Sequence, residues 1–397
     1  MKITFFSNFL SPHQVPFSQA MAENKEIDYH FVATSQLPEE YRLLGYPDED
    51  GAHGFCLTAY DSAENREKAL ELARTSDVIL IGSAPKEYSR EGIAAGAMVL
   101  RYSERLLKDR QYAVLPPKKF AGIWLRYLHT AAKPVYLLCA SAYTAADYAK
   151  AGAFGHKAYK WGYFPQTRHY ELQTLMDSKQ AASLLWCGRL IRWKHPELAV
   201  KTAARLRREG VPFTLKIIGN GELEQPLRRM IDEEKLSDCV FLLGAMSPEQ
   251  VREQMEQAQI FLFPSDFHEG WGAVLNESMN SGCAVVASHA PGSVPYLLKN
   301  GENGLIYENG DEDAFYRKVR YLLEHPQRCR SLGANAYRTI TELWNAETAA
   351  QRLSCLIGEL KRSGRCELYA DGPCSPAQKL KNNWFEEAKN AADDTEK

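Results

Sequence analysis

A chain of 397 residues with a formal net charge of −2, 45% hydrophobic and 11% aromatic residues is too long for one compact core. It is also too nearly neutral to be built for nucleic acid or for strong membrane attraction. Its nine cysteines stand singly without any C-x-x-C pair, which excludes the usual zinc and redox spacings and fits a reducing cytoplasm.

Residues 1–10, MKITFFSNFL, form too short an apolar stretch for a signal peptide. They are interrupted by Asn8 and lead to Pro12 without a small-residue cleavage site, so they read as a buried first strand. Short apolar runs then alternate with longer amphipathic stretches, the pattern of parallel α/β sheets. The first half offers the strands ITFFS, DYHFVAT, DVILIGS, AMVLRY and VYLLCAS. A second series starts at Ser183 with SLLWCGRL, FTLKIIGN, CVFLLGA, IFLFPS, CAVVAS and GLIYE. Helical periodicity fills the gaps, as in PELAVKTAARLRREG. Two βα series of similar size imply two Rossmann-like domains, residues 1–178 and 179–345, divided in the polar stretch 170–182. Each should carry a crevice at the carboxyl ends of its strands. Residues 363–397 read as a polar, partly disordered tail, disordered over 388–397, with NWFEEA as a short docking helix. No run approaches the roughly 18 apolar residues of a membrane-spanning helix.

The densest chemistry lies in residues 262–310, where a strand (IFLFPS) meets Glu269-Gly270-Trp271-Gly272 and a helix begins near Ala273. The glycines let backbone approach a ligand, and the helix start suits a diphosphate. Glu269 and Glu277 would then grip hydroxyls on either side of it; a capping Glu269 with a solvated Glu277 leaves the same spacing. Gly188-Arg189-Leu190 and Lys194 put two cations at a strand terminus, which suits a diphosphate and its departure as a leaving group. Taken alone, such a pair also fits a solvated face. Arg192 and His195 read as surface or helix-start groups. Gly219 and Gly221 form only part of a dinucleotide fingerprint, because Glu224 replaces the third glycine.

EGWGAVLNESM resembles the E-x7-E signature of the retaining GT-B glycosyltransferases, family four of the usual sequence classification. SGCAVVAS, GSVPYLL, NGENGLI and GDEDAF come after it in that family's order, and GRL…K resembles its diphosphate clamp. The likeness is dense over about residues 183–353 and looser before. It implies a GT-B fold with a deep interdomain cleft, the acceptor bound by the N-terminal domain and the donor by the C-terminal one, and the helix 346–362 rejoining the first. It implies that Glu269 contacts the donor sugar and Glu277 the ribose. Arg189 and Lys194 would hold the diphosphate, with the amides of Gly270, Trp271, Gly272, Ala273 and Val274 facing sugar and phosphate. Gly219, Gly221, Gly244 and Ala245 would wall the nucleobase pocket. Two departures fall on the acceptor side: SNFLSPHQ replaces a Gly-Gly loop, and VLRYSER replaces a histidine segment. Asn8, His13, Ser103 and Glu104 are the groups left there.

The expected reaction is glycosyl transfer, with retention, from a nucleoside diphosphate sugar such as a UDP-sugar. The acceptor would be a sugar, glycan or lipid-linked hydroxyl, in bacterial surface polysaccharide or glycoconjugate assembly. A catalytically silent donor-binding subunit, a GT-B phosphorylase or epimerase, and a metal-dependent transferase are the rivals. No metal or other cofactor is expected. Asp48-Glu49-Asp50 sits in a Pro/Gly turn, and Asp311-Glu312-Asp313 reads as a helix cap with an acidic first turn. Residues 101–133 hold eight Lys/Arg against two acids, interleaved with Phe120, Trp124 and Tyr127. That stretch fits either a solvated basic face or peripheral contact with an anionic membrane surface, at the inner face if the protein is cytoplasmic.

Overall fold

The computed structural model describes residues 1–43, 45, 47–108, 117–127 and 132–386. It divides into two compact units, Met1–Gln166 with Trp344–Lys381, and Thr167–Leu343 with residues 382–386.

The first unit is a seven-stranded parallel sheet: β1 (Lys2–Ser7), β2 (Asp28–Ala33), β3 (Cys56–Thr58), β4 (Val78–Ile81), β5 (Met98–Ser103), β6 (Val135–Cys139) and β7 (Ala158–Lys160), in the order β3-β2-β1-β4-β5-β6-β7. The second holds six: β8 (Ser183–Cys187), β9 (Thr214–Ile218), β10 (Val240–Gly244), β11 (Ile260–Phe263), β12 (Ala284–Ser288) and β13 (Leu305–Tyr307), in the order β10-β9-β8-β11-β12-β13. The central strands VILI, VYLLC, IFLF and AVVAS are buried at every position, because helices cover both faces of a parallel sheet. All eleven strands expected from the apolar runs form. The two that were not expected, β3 and β7, are three-residue edge strands, too short to carry a pattern.

The change of unit falls before Thr167, not near residue 178. Residues 167–171 are tied into the second unit: Arg168 N donates to Asn280 Oδ1 at 2.8 Å, Asn280 Nδ2 donates to Arg168 O at 2.9 Å, and Tyr170 N donates to Tyr337 OH at 2.7 Å. Composition marked the stretch as polar, but those polar groups are bonded to one side. The helix Ala346–Ser363 lies in the first unit and packs on Val15–Ala22.

Beyond Ser363 the chain is no loose tail as far as residue 386. Cys374 N donates to Lys160 O at 2.8 Å, Lys160 N to Ser375 O at 2.7 Å and Ala377 N to Ala158 O at 2.9 Å. This segment covers β7, whose edge would otherwise present unpaired backbone groups. The stretch expected to be disordered, 388–397, lies outside the described residues.

Candidate active site

In the second sheet the strand order reverses between β8 and β11, which opens a crevice beyond their carboxyl ends. From β8 comes Gly188-Arg189-Leu190, then a 3₁₀ turn, Arg192–Lys194, and the helix Pro196–Arg208. This loop lies against the turn after β9: Gly188 N donates to Ile218 O at 3.0 Å, Leu190 N to Asn220 O at 2.7 Å and Leu223 N to Leu190 O at 3.0 Å. Gly219 and Gly221 permit the approach, with φ of 134° and 151°. A Cβ on them would stand 1.8 Å from Gly188 O and 2.5 Å from Leu190 O. The two glycines therefore seat the Arg189 loop, in addition to any part in walling a nucleobase pocket. Gly244, at the end of β10, accepts from Gly219 N at 2.8 Å, and Ala245 is the next residue.

The loop after β11 brings the opposite charges. Lys194 Nζ donates to Glu269 Oε2 at 2.5 Å, and the two side chains are only 13% and 14% exposed. Asp266 N donates to Trp193 O at 2.9 Å, which fastens the two loops backbone to backbone. The Arg189 guanidinium carbon lies 6.0 Å from the centre of the Trp193 ring. Glu277 sits in the first turn of the helix Val274–Asn280. Cys187, the last residue of β8, feels both sides of the site. Burial pushes its thiol up to about 12, the Glu277 carboxylate adds to the shift and the Lys194 ammonium opposes it.

His195 proves to be more than a helix-start group. It has a left-handed backbone, φ 47°, with Nδ1 2.8 Å from Glu197 Oε1 and Nε2 3.5 Å from Asp266 Oδ2. Asp266, then Glu197, raise its pKa to about 9 against the opposing effect of burial, so the ring is charged at neutral pH. Burial pulls Asp266 upward, but hydrogen bonds from His195 and His268 outweigh it and hold the carboxyl below its ordinary value. His195 and Asp266 thus bind the Lys194 loop to the Glu269 loop. Sequence reading gave His195 only a surface or helix-start place and passed over Asp266, because neither stands in a periodic or motif position. Arg192 is a surface group as expected, its side chain 87% exposed.

Trp271 is packed inside the second unit. Its ring is buried, Nε1 donates to Asn276 Oδ1 at 2.9 Å, and its carbonyl accepts from Ser293 Oγ at 2.6 Å. Only its backbone remains for the role the resemblance gave it. Gly270 and Gly272 flank it, and Ala273 caps the helix that starts at Val274.

In the first unit, at the carboxyl ends of its strands, Glu104 Oε1 accepts from Tyr163 OH at 2.5 Å and Oε2 pairs with Lys108. The His13 ring stacks on Tyr163 with centroids 6.0 Å apart. The Ser103 hydroxyl is buried, donates to Glu104 O at 2.8 Å and bonds to Tyr148 OH at 3.2 Å. Asn8 holds the end of β2, its carbonyl accepting from Thr34 N at 2.8 Å and Ser35 N at 2.7 Å. Tyr163 and Lys108 were not anticipated.

Asp50 accepts from Leu10 N at 2.7 Å and Asp311 caps its helix through Ala314 N at 2.7 Å. Among the described residues no cluster of His, Cys, Asp and Glu has metal-binding geometry. The expected basic face at residues 101–133 is thinner than its charge count. Arg101 donates to Gly82 O at 2.5 Å, and Arg105 is buried against Asp147. Phe120 and Trp124, on the helix Pro117–Tyr127, are exposed. Arg110 lies outside the described residues, as do the side chains of Lys119 and Arg126. No described helix is long and apolar enough to cross a membrane.

Two parallel sheets of this order, with a cationic loop and an acidic loop meeting at the switch point of the second, define a GT-B architecture. Anabaena HepE in complex with UDP shares the fold with a TM-score of 0.67 at 16% identity, over 91% of this chain and 100% of that one. Residues 176–339, which lie within the second unit, match the family model for glycosyl transferases group 1. The amylovoran biosynthesis glycosyltransferase AmsK of Erwinia amylovora is 33% identical over 140 residues, 34% of each chain. An N-acetylgalactosaminyltransferase of Campylobacter jejuni, named for a diphospho-undecaprenol-linked acceptor, is 30% identical over 176 residues, 44% of this chain and 46% of that one. The alignments thus span between a third and a half of these relatives' length.

Proposed function

We propose that this protein transfers a glycosyl group from a nucleoside diphosphate sugar to an acceptor hydroxyl, with retention and without a metal ion, in bacterial surface polysaccharide or glycoconjugate assembly. The observation that carries the reading is the Lys194–Glu269 pair across the β8 and β11 loops, beside Arg189 and near Glu277. An arriving diphosphate competes with Glu269 for Lys194 and takes Arg189 as a second partner. Glu277 accepts from the ribose hydroxyls. Glu269 then stands beside the donor sugar, where positive charge builds as the bond to phosphate lengthens, and its carboxylate acts most strongly in the transition state. The backbone of residues 270–274 faces the sugar and phosphates. The relatives' names support the polysaccharide setting and a lipid-linked acceptor. The acceptor side draws on His13, Glu104 and Tyr163, and Phe120 with Trp124 offers a seat on an anionic bilayer.

A panel of nucleoside diphosphate sugars screened by thermal shift picks out the donor, since a ligand bound only to the folded state raises the midpoint by mass action. The chosen donor, incubated with polyprenyl-linked and free sugar acceptors, should yield a product with the donor's anomeric configuration by NMR. Stabilisation by a donor without any transfer would favour the silent donor-binding subunit. No stabilisation by any nucleotide sugar would sink the reading.

A further inference from the structure

One part of the second unit comes from beyond the group 1 domain. Residues 382–386, more than forty positions past its end, return to the loops after β11 and β12. Their anchor is His289, which directly succeeds β12 and is 5% exposed. Its Nδ1 accepts from Asn309 N at 2.9 Å, which leaves Nε2 to donate to Asn382 O at 2.9 Å. Both ring nitrogens are thereby engaged as a neutral imidazole. Phe385, 4% exposed, stacks on the ring with centroids 5.9 Å apart and planes at 16°. Trp384 meets it edge-on at 6.2 Å, as does Phe267 at 5.4 Å.

Phe267 and Glu269 belong to the same loop. The turn after His289 is bonded to that loop as well: Gly292 N donates to Glu269 O at 3.3 Å and Ser293 Oγ to Trp271 O at 2.6 Å. Residues 382–386 therefore close a continuous set of contacts that runs through His289 to the backbone on both sides of Glu269. Glycine-rich segments such as 269–272 lose much conformational freedom when held, and a carboxylate displaced by about an ångström loses most of its effect on a reacting centre.

We propose that residues 382–386 are a positioning element of the donor site, with Phe385 and Trp384 seating the Glu269 loop through His289 and Phe267. This rests on the reading that Glu269 acts on the donor sugar. Arg189 and Lys194 stand on the loop after β8 and Glu277 on the helix Val274–Asn280, none of them in contact with residues 382–386, so the loss should fall on turnover before it falls on nucleotide binding.

The test uses the full chain with Phe385→Ala, Trp384→Ala and, as the conservative variant, Phe385→Tyr, with Glu269→Gln run alongside. Steady-state rates are measured at a temperature where circular dichroism shows every variant folded, and free nucleoside diphosphate binding is measured by calorimetry. Phe385→Ala should lower kcat with the nucleotide sugar tenfold or more, Trp384→Ala about threefold, and Phe385→Tyr less than twofold. Nucleotide Kd should stay within twofold in the Phe385 and Trp384 variants. Should Phe385→Ala fail to fold, the half-buried Trp384 position and Phe385→Tyr carry the test. A drop in melting temperature with kcat unchanged would reduce the segment to a structural role and overturn the proposal, as would an equal loss of turnover and nucleotide binding. Unchanged turnover in Glu269→Gln would overturn the functional reading itself. Loss in Glu269→Gln without loss in Phe385→Ala would overturn only the positioning element.

Discussion

The Lys194–Glu269 pair predicts an asymmetric double-mutant cycle. At 2.5 Å, with an effective dielectric constant of about 20, Coulomb's law gives ~7 kcal/mol, most of it offset by the desolvation of two ions. The net worth of a charge-assisted hydrogen bond is about 1.5–3 kcal/mol. In Lys194→Ala the diphosphate loses that partner and meets an unpaired Glu269 carboxylate, so nucleoside diphosphate affinity should fall by about ten- to a hundredfold. In Glu269→Gln, Lys194 is released to the diphosphate, so free-nucleotide affinity should stay near wild type or rise by up to about fivefold, within 1 kcal/mol. The double variant should bind more tightly than Lys194→Ala alone, because the repelling carboxylate is gone. Calorimetry on the four proteins at one low ionic strength measures the coupling. Equal losses in both single variants, adding in the double, would mean that the two side chains meet the nucleotide independently and that the pair has no part in donor binding.

Glu277→Gln should weaken free nucleotide and nucleotide sugar alike, by about 1.5–3 kcal/mol, whereas Glu269→Gln should act on kcat with the sugar donor; calorimetry beside steady-state rates separates them. Arg189→Ala should weaken the nucleoside diphosphate over the same range, and wild-type binding would remove it from the clamp. Activity should survive excess EDTA; complete loss restored by manganese or magnesium would refute the metal-free account. Gly219→Ala, with its Cβ 1.8 Å from Gly188 O, should cost about 2–4 kcal/mol through clash and backbone strain. Gly244→Ala, with nothing within 4 Å, should cost about 1 kcal/mol from its positive φ alone; chemical denaturation ranks them. The raised pKa of His195 means that its two ion pairs contribute fully below about 6.5 and are lost as pH climbs through about 9. Exposure of a third of the ring screens the gain to about 1 kcal/mol. Wild-type stability should therefore fall across that window, and His195→Asn, which keeps the left-handed backbone accessible, should flatten the profile.

The sequence by itself determined the elements and the local half of the site. Eleven strands are legible because a buried parallel strand must be continuously apolar, and Glu269 and Glu277 are legible because one strand–loop–helix segment carries both. Tertiary structure decided every pairing between segments. Lys194 meets Glu269 from 75 residues away only because the sheet order places β8 beside β11. His195 reads as an ordinary helix-start residue until Asp266 arrives from the neighbouring loop. The turn of Gly219 and Gly221 gives no hint in sequence that it supports the Gly188–Leu190 backbone rather than a ligand alone. Residues 170–182 look like a linker by composition, yet Arg168 and Tyr170 are bonded to Asn280 and Tyr337, and the unit changes earlier. Residues 383–388, NWFEEA, read as a short docking helix, but nothing in the sequence says what that helix docks on. His289, an isolated histidine 93 positions away in sequence, gives the Trp-Phe pair its place. Local propensity is written along a few consecutive residues, whereas contacts of this kind depend on which strands the fold sets side by side.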